Sequence, residues 1–335
     1  MKKYKFLTLF CLYISMELPL SLIKHELDSF ETRFKDAVKS NTPLLDRIMR
    51  YIVKRKGKQI RPMFVFLSAR LFGETTEITY RAASLVEILH TATLVHDDVV
   101  DDALERRGFF STYALWKNKA SVLVGDYLLA KGLMLSLSHN DYRVLHILTD
   151  AVQKMSEGEL LQLEKARTLS LKEDIYYEII SSKTASLLAS ACSAGAWSVT
   201  QDDGIAEKMR QFGDKTGIAF QIKDDLFDYA SEDVGKPTGN DIKEKKMTLP
   251  LIYTLNNTDK STKRRIINIV KNNNNDKKMV NWVLDVVKDT GGINYAIQKM
   301  EEYKQQALDI LYQFPENEYR NGLKDLVNYV TERKY

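Results

Sequence analysis

The chain has 335 residues, 44% hydrophobic and 28% charged, with a net charge of +4. That composition supports a sizeable core. It gives no basic stripe interleaved with aromatics of the kind nucleic acid requires. Two cysteines, Cys11 and Cys192, make no disulfide framework and fit a reducing cytoplasm, while 6 prolines and 15 glycines favour long helices over many short strands.

The opening "MKKYKFLTLFCLYISMELPL" superficially resembles a signal peptide. Its apolar run is too short to span a bilayer, and no small-residue cleavage site follows. Residues 1–15 are therefore expected to be an extension, disordered or untranslated, and residues 16–335 a single domain beginning near Met16. Helical spacing of apolar residues then runs over 19–53. "RPMFVFLSARLFG" carries a start signal at Pro62 and a stop at Gly73. Ile78 to Leu104 contains no Gly or Pro, about 40 Å if wholly helical at ~1.5 Å per residue.

Further helices are predicted over "SVLVGDYLLAKGLMLSLS", Tyr142 to Thr168, the small-residue segment "IYYEIISSKTASLLASACSAGAWSV", and "GIAEKMRQFGDKTGIAFQIKDDLFDYA". "NNNND" (272–276) reads as a solvated loop. Alternating strands are scarce, so the expected fold is all-α: a single-domain bundle of long, mostly antiparallel helices around a central cavity.

Two acidic clusters interrupt this pattern. Asp97 and Asp101 are four apart, as are Asp98 and Asp102, and each pair would share a helix face. Like charges so spaced destabilise a helix. Alone, the cluster reads equally well as an acidic helix end in solvent. A second cluster of the same spacing, Asp224, Asp225 and Asp228, also ends a long apolar helix. Two such clusters suggest carboxylates converging across a cavity. Carboxylate oxygens without a neighbouring Cys or His set imply a hard cation, Mg²⁺ or Mn²⁺, of the kind that also holds substrate phosphates.

The cations fit that scheme. Arg106 and Arg107 follow the first cluster, and guanidinium forks suit phosphate oxygens. Lys58 and Arg61 precede a helix start, where anions are favoured. Lys183 and Thr184 interrupt an apolar helix, and Lys236 and Lys246 flank the loop after the second cluster. Each lysine alone reads as a solvated surface residue; their joint placement around two metal-binding patterns favours a polyphosphate site. His90 lies two turns before Asp97 on the same face, where a core role and a substrate contact both remain open.

"GKQIRP", "EILHTATLVHDDVVDDALERRG", "SSKTASLL", "GIAFQIKDDLFDY" and "VGKPTGNDIKEKKMTLPLIY" occur in this order. In order and character they resemble the head-to-tail, trans-type isoprenyl diphosphate synthases of the polyprenyl synthetase family, from about Leu18 to "YVTERK". The resemblance implies the isoprenoid synthase fold. It implies that Asp97, Asp98, Asp101, Asp224, Asp225 and Asp228 bind three Mg²⁺ on an allylic diphosphate, which Arg106, Lys183, Thr184, Gln221, Lys236 and Lys246 also contact. Lys58, Arg61, His90 and Arg107 would bind isopentenyl diphosphate.

The implied reaction ionises the allylic diphosphate (farnesyl, geranyl or dimethylallyl), condenses it with isopentenyl diphosphate, and loses a proton to the released pyrophosphate. Lys56-Gly57 stands where the family often has two glycines, and Lys245 where it often has one; Asp102 is additional. Ala92 and Thr93, five and four residues before Asp97, lie where short-chain relatives place an aromatic plug. Their small size implies a long all-trans product, roughly thirty to fifty carbons, resembling the octaprenyl and solanesyl synthases that make quinone side chains. Leu133 or Met134 would form the cavity floor, or else pack in the core.

A cytoplasmic homodimer without stable membrane insertion is expected from the family. Shorter-chain synthases, a class I terpene cyclase, and a non-catalytic partner subunit remain as alternatives. The intact aspartate motifs argue against the last.

Overall fold

The computed structural model describes residues 19–55, 57–106, 108–169, 172–229 and 238–333. The predicted extension over residues 1–15, Met16, Cys11, Lys56, Arg107 and Lys236 lie outside the described residues.

After a 3₁₀ turn (Leu20–Ile23), the helices are α1 (Lys24–Ala37), α2 (Pro43–Lys54), α3 (Ile60–Arg70) and α4 (Glu77–Val100). A minimal antiparallel hairpin follows, β1 (Glu105–Arg106) with β2 (Phe109–Phe110). Next come α5 (Thr112–Leu137), α6 (Tyr142–Thr168), α7 (Glu173–Ile180), a π-helical turn (Ser181–Ala185), α8 (Ser186–Thr200) and α9 (Asp203–Phe227). The chain continues through α10 (Asn240–Lys243), α11 (Leu249–Asn256), α12 (Lys260–Asn272), α13 (Lys277–Asp289), α14 (Gly292–Leu311) and α15 (Glu318–Glu332). The all-α expectation holds.

Side-chain caps start the helices that carry the acidic clusters. Thr76 accepts from the Thr79 amide in a capping box at the head of α4, and Asp202 accepts from the Ile205 amide at 2.9 Å to open α9. Ser111 does the same for α5, accepting from the Ala114 amide at 2.9 Å.

The small-residue segment is the centre of the bundle. Leu187, Ala191, Cys192 and Ala194 of α8 are buried, packed among α3, α4, α6 and α9. Burial pushes the Cys192 thiol up to about 12, so it is an inert core residue. Close approach needs glycine at several points, Gly195 and Gly217 among them. A Cβ on Gly195 would lie 2.3 Å from the Val65 carbonyl oxygen, and one on Gly217 would lie 2.5 Å from the Cα of Ala185. The second contact seats α9 against the π-helical turn. Phe30, Phe64, Phe66 and Phe212 fill the main core, each worth about 1.5–3 kcal/mol on burial.

Two expectations are corrected. The helix predicted to Leu104 ends at Val100. Asp101 is its C-cap, Asp102 takes a left-handed backbone (φ 49°), and the Ala103 amide reaches back to the Asp98 carbonyl at 2.9 Å. That is a Schellman stop, with aspartate where glycine is usual. Asp98 and Asp102 therefore share no helical face. The segment over 175–199 is not one helix either. It changes to π-helical winding at Ser181–Ala185, which holds Lys183 and Thr184.

Candidate active site

Both acidic clusters occupy helix C-termini. Asp97 and Asp98 end α4, Asp224 and Asp225 end α9, and Asp101 and Asp228 are the respective C-caps. The helix dipole is negative there, so carboxylates are at their least favourable position without cations nearby.

The cations are present. Arg106 donates through Nε to Asp98 at 2.5 Å. Burial pushes the Asp98 carboxyl up, and Arg106 offsets it. Asp97 is likewise raised by burial, with Lys183 and Arg106 pulling against it and Glu159 and Asp101 adding to it. Lys183 itself is ion-paired with Glu159 of α6.

The second cluster is more enclosed. Asp225 is buried and accepts from the Tyr176 hydroxyl at 2.7 Å and from the Gln221 amide at 2.8 Å. Burial still raises its carboxyl, against those two bonds. Asp228 accepts the Asn240 and Asp241 amides at 2.8 and 3.1 Å, and Asp224 accepts from Arg333. Burial disfavours the Lys246 charge, yet Glu244, Asp241 and Asp101 hold its ammonium above the usual range.

These contacts join the clusters. Thr184 donates to Gln221 at 2.7 Å, and Gln221 donates to Asp225, so the turn whose Lys183 charge acts on Asp97 is bonded to the second cluster. Lys246 acts on Asp101 of the first cluster and on Asp225 of the second. Lys246 is thus within electrostatic reach of both clusters.

Two cavities lie among these residues. One, about 140 Å³, is lined by Lys183, Thr184, Gln221, Asp225, Asp241 and Lys246. The other, about 330 Å³, is lined by Lys58, Arg61, Thr184, Phe220, Tyr329 and Arg333. Thr184 belongs to both. Lys58 donates to the Tyr329 hydroxyl at 2.5 Å. His90 is buried with its Nε2 2.9 Å from Arg61 Nη1. Guanidinium only donates, so that nitrogen accepts and Nδ1 carries the proton.

Among the described residues, no three His, Cys, Asp or Glu side chains converge closely enough to cage a metal ion. The donor set is nonetheless hard carboxylate oxygen at the C-terminal ends of two helices. That fits Mg²⁺ held by one or two carboxylates each and completed by substrate phosphates, rather than an all-protein cage.

Ala92 is fully buried in the main core, and Thr93 donates to the His90 carbonyl at 2.9 Å. Leu133 and Met134 are 39% and 57% exposed on α5, so they form no cavity floor. Their apolar character belongs to an outer surface instead. Asp102 is exposed and serves the helix stop.

Sequence reasoning missed Glu159, Tyr176, Asp241, Tyr329 and Arg333. Asp241 and Arg333 stood inside quoted motifs, "GNDIKEKK" and "YVTERK", without a role. Burial pushes the Asp241 carboxyl far up, reinforced by Asp225 and Asp228.

A family model described as Polyprenyl synthetase matches residues 42–287. The Heptaprenyl diphosphate synthase component 2 of Bacillus subtilis is 31% identical, covering 96% of this chain and 92% of its own. A decaprenyl diphosphate synthase structure from Rhodobacter capsulatus superposes with a TM-score of 0.89 at 32% identity, covering 94% of this chain and 98% of its own. A geranylgeranyl pyrophosphate synthase structure from Bacteroides thetaiotaomicron gives 0.80 at 39% identity, with 94% and 98% covered. The chain belongs to the polyprenyl synthetase family, an enzyme class of prenyltransferases.

Proposed function

We propose that the protein condenses isopentenyl diphosphate head-to-tail with an allylic diphosphate and releases a long-chain all-trans polyprenyl diphosphate, roughly thirty to fifty carbons, for a quinone side chain. The observation that carries this is the pair of cationic cavities sharing Thr184, one beside the acidic clusters and one beside Lys58 and Arg61. Two diphosphates need two such sites with their organic ends adjacent.

In this scheme Asp97, Asp98, Asp101, Asp224, Asp225 and Asp228 hold Mg²⁺, three ions by analogy with the family, with Mn²⁺ as a substitute. When bound, the metal neutralises charge on a departing diphosphate. Arg106, Lys183, Thr184, Gln221 and Lys246 grip the same allylic diphosphate, and Lys236 is assigned there by resemblance. Preorganised cations aimed at a leaving group are worth most where water is excluded. Lys58 and Arg61, steadied by His90, bind the diphosphate of isopentenyl diphosphate, with Arg107 assigned by resemblance. The departing pyrophosphate takes the final proton, so no side-chain base is required.

Long product length is favoured by the small residues Ala92 and Thr93 and by similarity to proteins named heptaprenyl and decaprenyl synthases. A shorter product has its own support in the 39% identity to a geranylgeranyl synthase. We assign a cytoplasmic homodimer through α5 and α6. Leu123, Met134 and Leu160 are 68%, 57% and 67% exposed there. By length and composition α5 could cross a membrane, but it packs along α4; in the proposed dimer a second copy would cover its outer face. The name "component 2" of the Bacillus protein favours one second reading, a subunit that works with a different chain.

Mass analysis of products from farnesyl diphosphate, isopentenyl diphosphate and Mg²⁺ tests the proposal. A ladder of all-trans products from the purified chain supports it. Pyrophosphate release without isopentenyl diphosphate would make it a cyclase. Inactivity relieved only by another protein would make it a subunit.

A further inference from the structure

The hairpin after the first acidic cluster is docked on the end of α2 by a stack of three side chains. Arg55, the residue after α2, lies over two rings, with its guanidinium carbon 3.8 Å from the Tyr51 centroid and 4.3 Å from that of Phe109. It also donates to the Tyr51 hydroxyl, which donates onward to the Phe110 carbonyl at 2.6 Å. Trp116 of α5 meets Tyr51 edge-on, centroids 5.1 Å apart.

A hairpin of two-residue strands has no stability of its own, and Phe109 and Phe110 are 48% and 60% exposed. Its position must come from its anchors. Among these are Arg106 on Asp98 and the Arg55 stack. Arg55 also stands three residues before Lys58 and six before Arg61. Beneath the stack is a cavity of about 90 Å³ that Tyr51, Arg55, His90, Asp98, Arg106 and Phe109 line together. The stack thus closes over residues of both diphosphate sites.

We propose that Tyr51, Arg55 and Phe109 form a latch that fixes the Arg106 hairpin relative to the Lys58–Arg61 segment. Arg55 is a positioning residue that holds the two diphosphate sites in mutual register. This rests on the two-diphosphate function proposed above. Guanidinium–ring contacts act through planarity as well as charge, so lysine is no substitute.

The test combines kinetics with hydrogen exchange on the full chain. Arg55→Ala is expected to raise KM for both diphosphates about tenfold, the range open to two cation–π contacts, with saturating kcat changed less than about twofold. Arg55→Lys should behave like Arg55→Ala, Phe109→Tyr like the unaltered protein, and Phe109→Ala combined with Arg55→Ala no worse than either alone. The Ser111 amide, bonded to the Leu104 carbonyl at 2.9 Å, should exchange several-fold faster in Arg55→Ala.

Faster exchange with unchanged KM would reduce the stack to a merely structural contact. Unchanged exchange would mean there is no latch. Normal kinetics in Arg55→Lys would assign the effect to charge alone, and additive losses in the double variant would show that Arg55 and Phe109 act independently, so that no latch joins them. If the unaltered protein makes no condensation product, the two-diphosphate function fails and the positioning role fails with it. Exchange would then still report whether the latch exists.

Discussion

Arg333, at the end of α15, donates to Asp224, the first carboxylate of the second acidic cluster, 109 residues away in the chain. Its guanidinium also lies 4.7 Å from the Phe220 ring centroid and 5.6 Å from that of Phe227. The last helix therefore holds a cation where a divalent ion is proposed to bind. Arg333→Met is expected to lower the melting temperature of metal-free protein by a few degrees at most, since partly exposed pairs contribute about 0–1 kcal/mol. Mg²⁺ with pyrophosphate should narrow that gap by neutralising Asp224. KM for isopentenyl diphosphate should rise about tenfold, because Arg333 lines the cavity with Lys58 and Arg61. Thermal melts with and without metal, and steady-state kinetics, check both.

Metal-free stability should fall as pH rises. Burial, reinforced by Asp225 and Asp228, pushes the Asp241 carboxyl up to about 8, and burial takes Asp225 to about 6. Between about pH 4 and 8 the folded protein keeps protons that the unfolded chain has released. The contribution is therefore full below pH 4, lost progressively up to about pH 8, and flat above it. Asp241→Asn should flatten the slope of melting temperature against pH in chelator. An unaltered slope would remove Asp241 from this account. Divalent ions should bind more tightly across pH 6 to 8 as they displace those protons.

Much of this was legible in the sequence. Helix periods and the spacing of Asp97, Asp98, Asp101, Asp224, Asp225 and Asp228 near helix ends are local signals; the helix signalled by Pro62 begins two residues earlier, at Ile60, so Arg61 lies within it rather than before it. What failed was non-local or conformational. The left-handed Asp102 backbone depends on how α4 stops, and the π-helical turn at Lys183 on how α8 seats against α9. Arg333 and Glu159 are distant in the chain from their partners Asp224 and Lys183, and no period announces them. Leu133 and Met134 look like core in sequence because apolar character does not say which side of α5 faces inward.

Product length should respond to α4 and not to the outer face of α5. Ala92→Tyr is expected to shorten the product, at an overpacking cost of about 1–3 kcal/mol because Ala92 is fully buried. Leu133→Ala and Met134→Ala should leave product length unchanged. Product mass spectrometry with a melting curve for each variant checks this. A full-length product from a folded Ala92→Tyr protein would show that the chain does not grow past that position.

The apolar face of α5 and α6 should mediate self-association. Leu123→Asp combined with Leu160→Asp is expected to convert a dimer to a monomer in sedimentation velocity, since both side chains are about two-thirds exposed in the single chain. A persistent dimer would place the interface elsewhere.

The central claim is that two carboxylate clusters serve one leaving group. Calorimetric titration of Mg²⁺ in the presence of pyrophosphate tests it on the unaltered protein, Asp97→Ala, Asp225→Ala and the double variant. Shared ions predict that each single substitution abolishes most pyrophosphate-dependent Mg²⁺ binding and that the double variant is scarcely worse. Small, independent and additive losses from the two substitutions would contradict it.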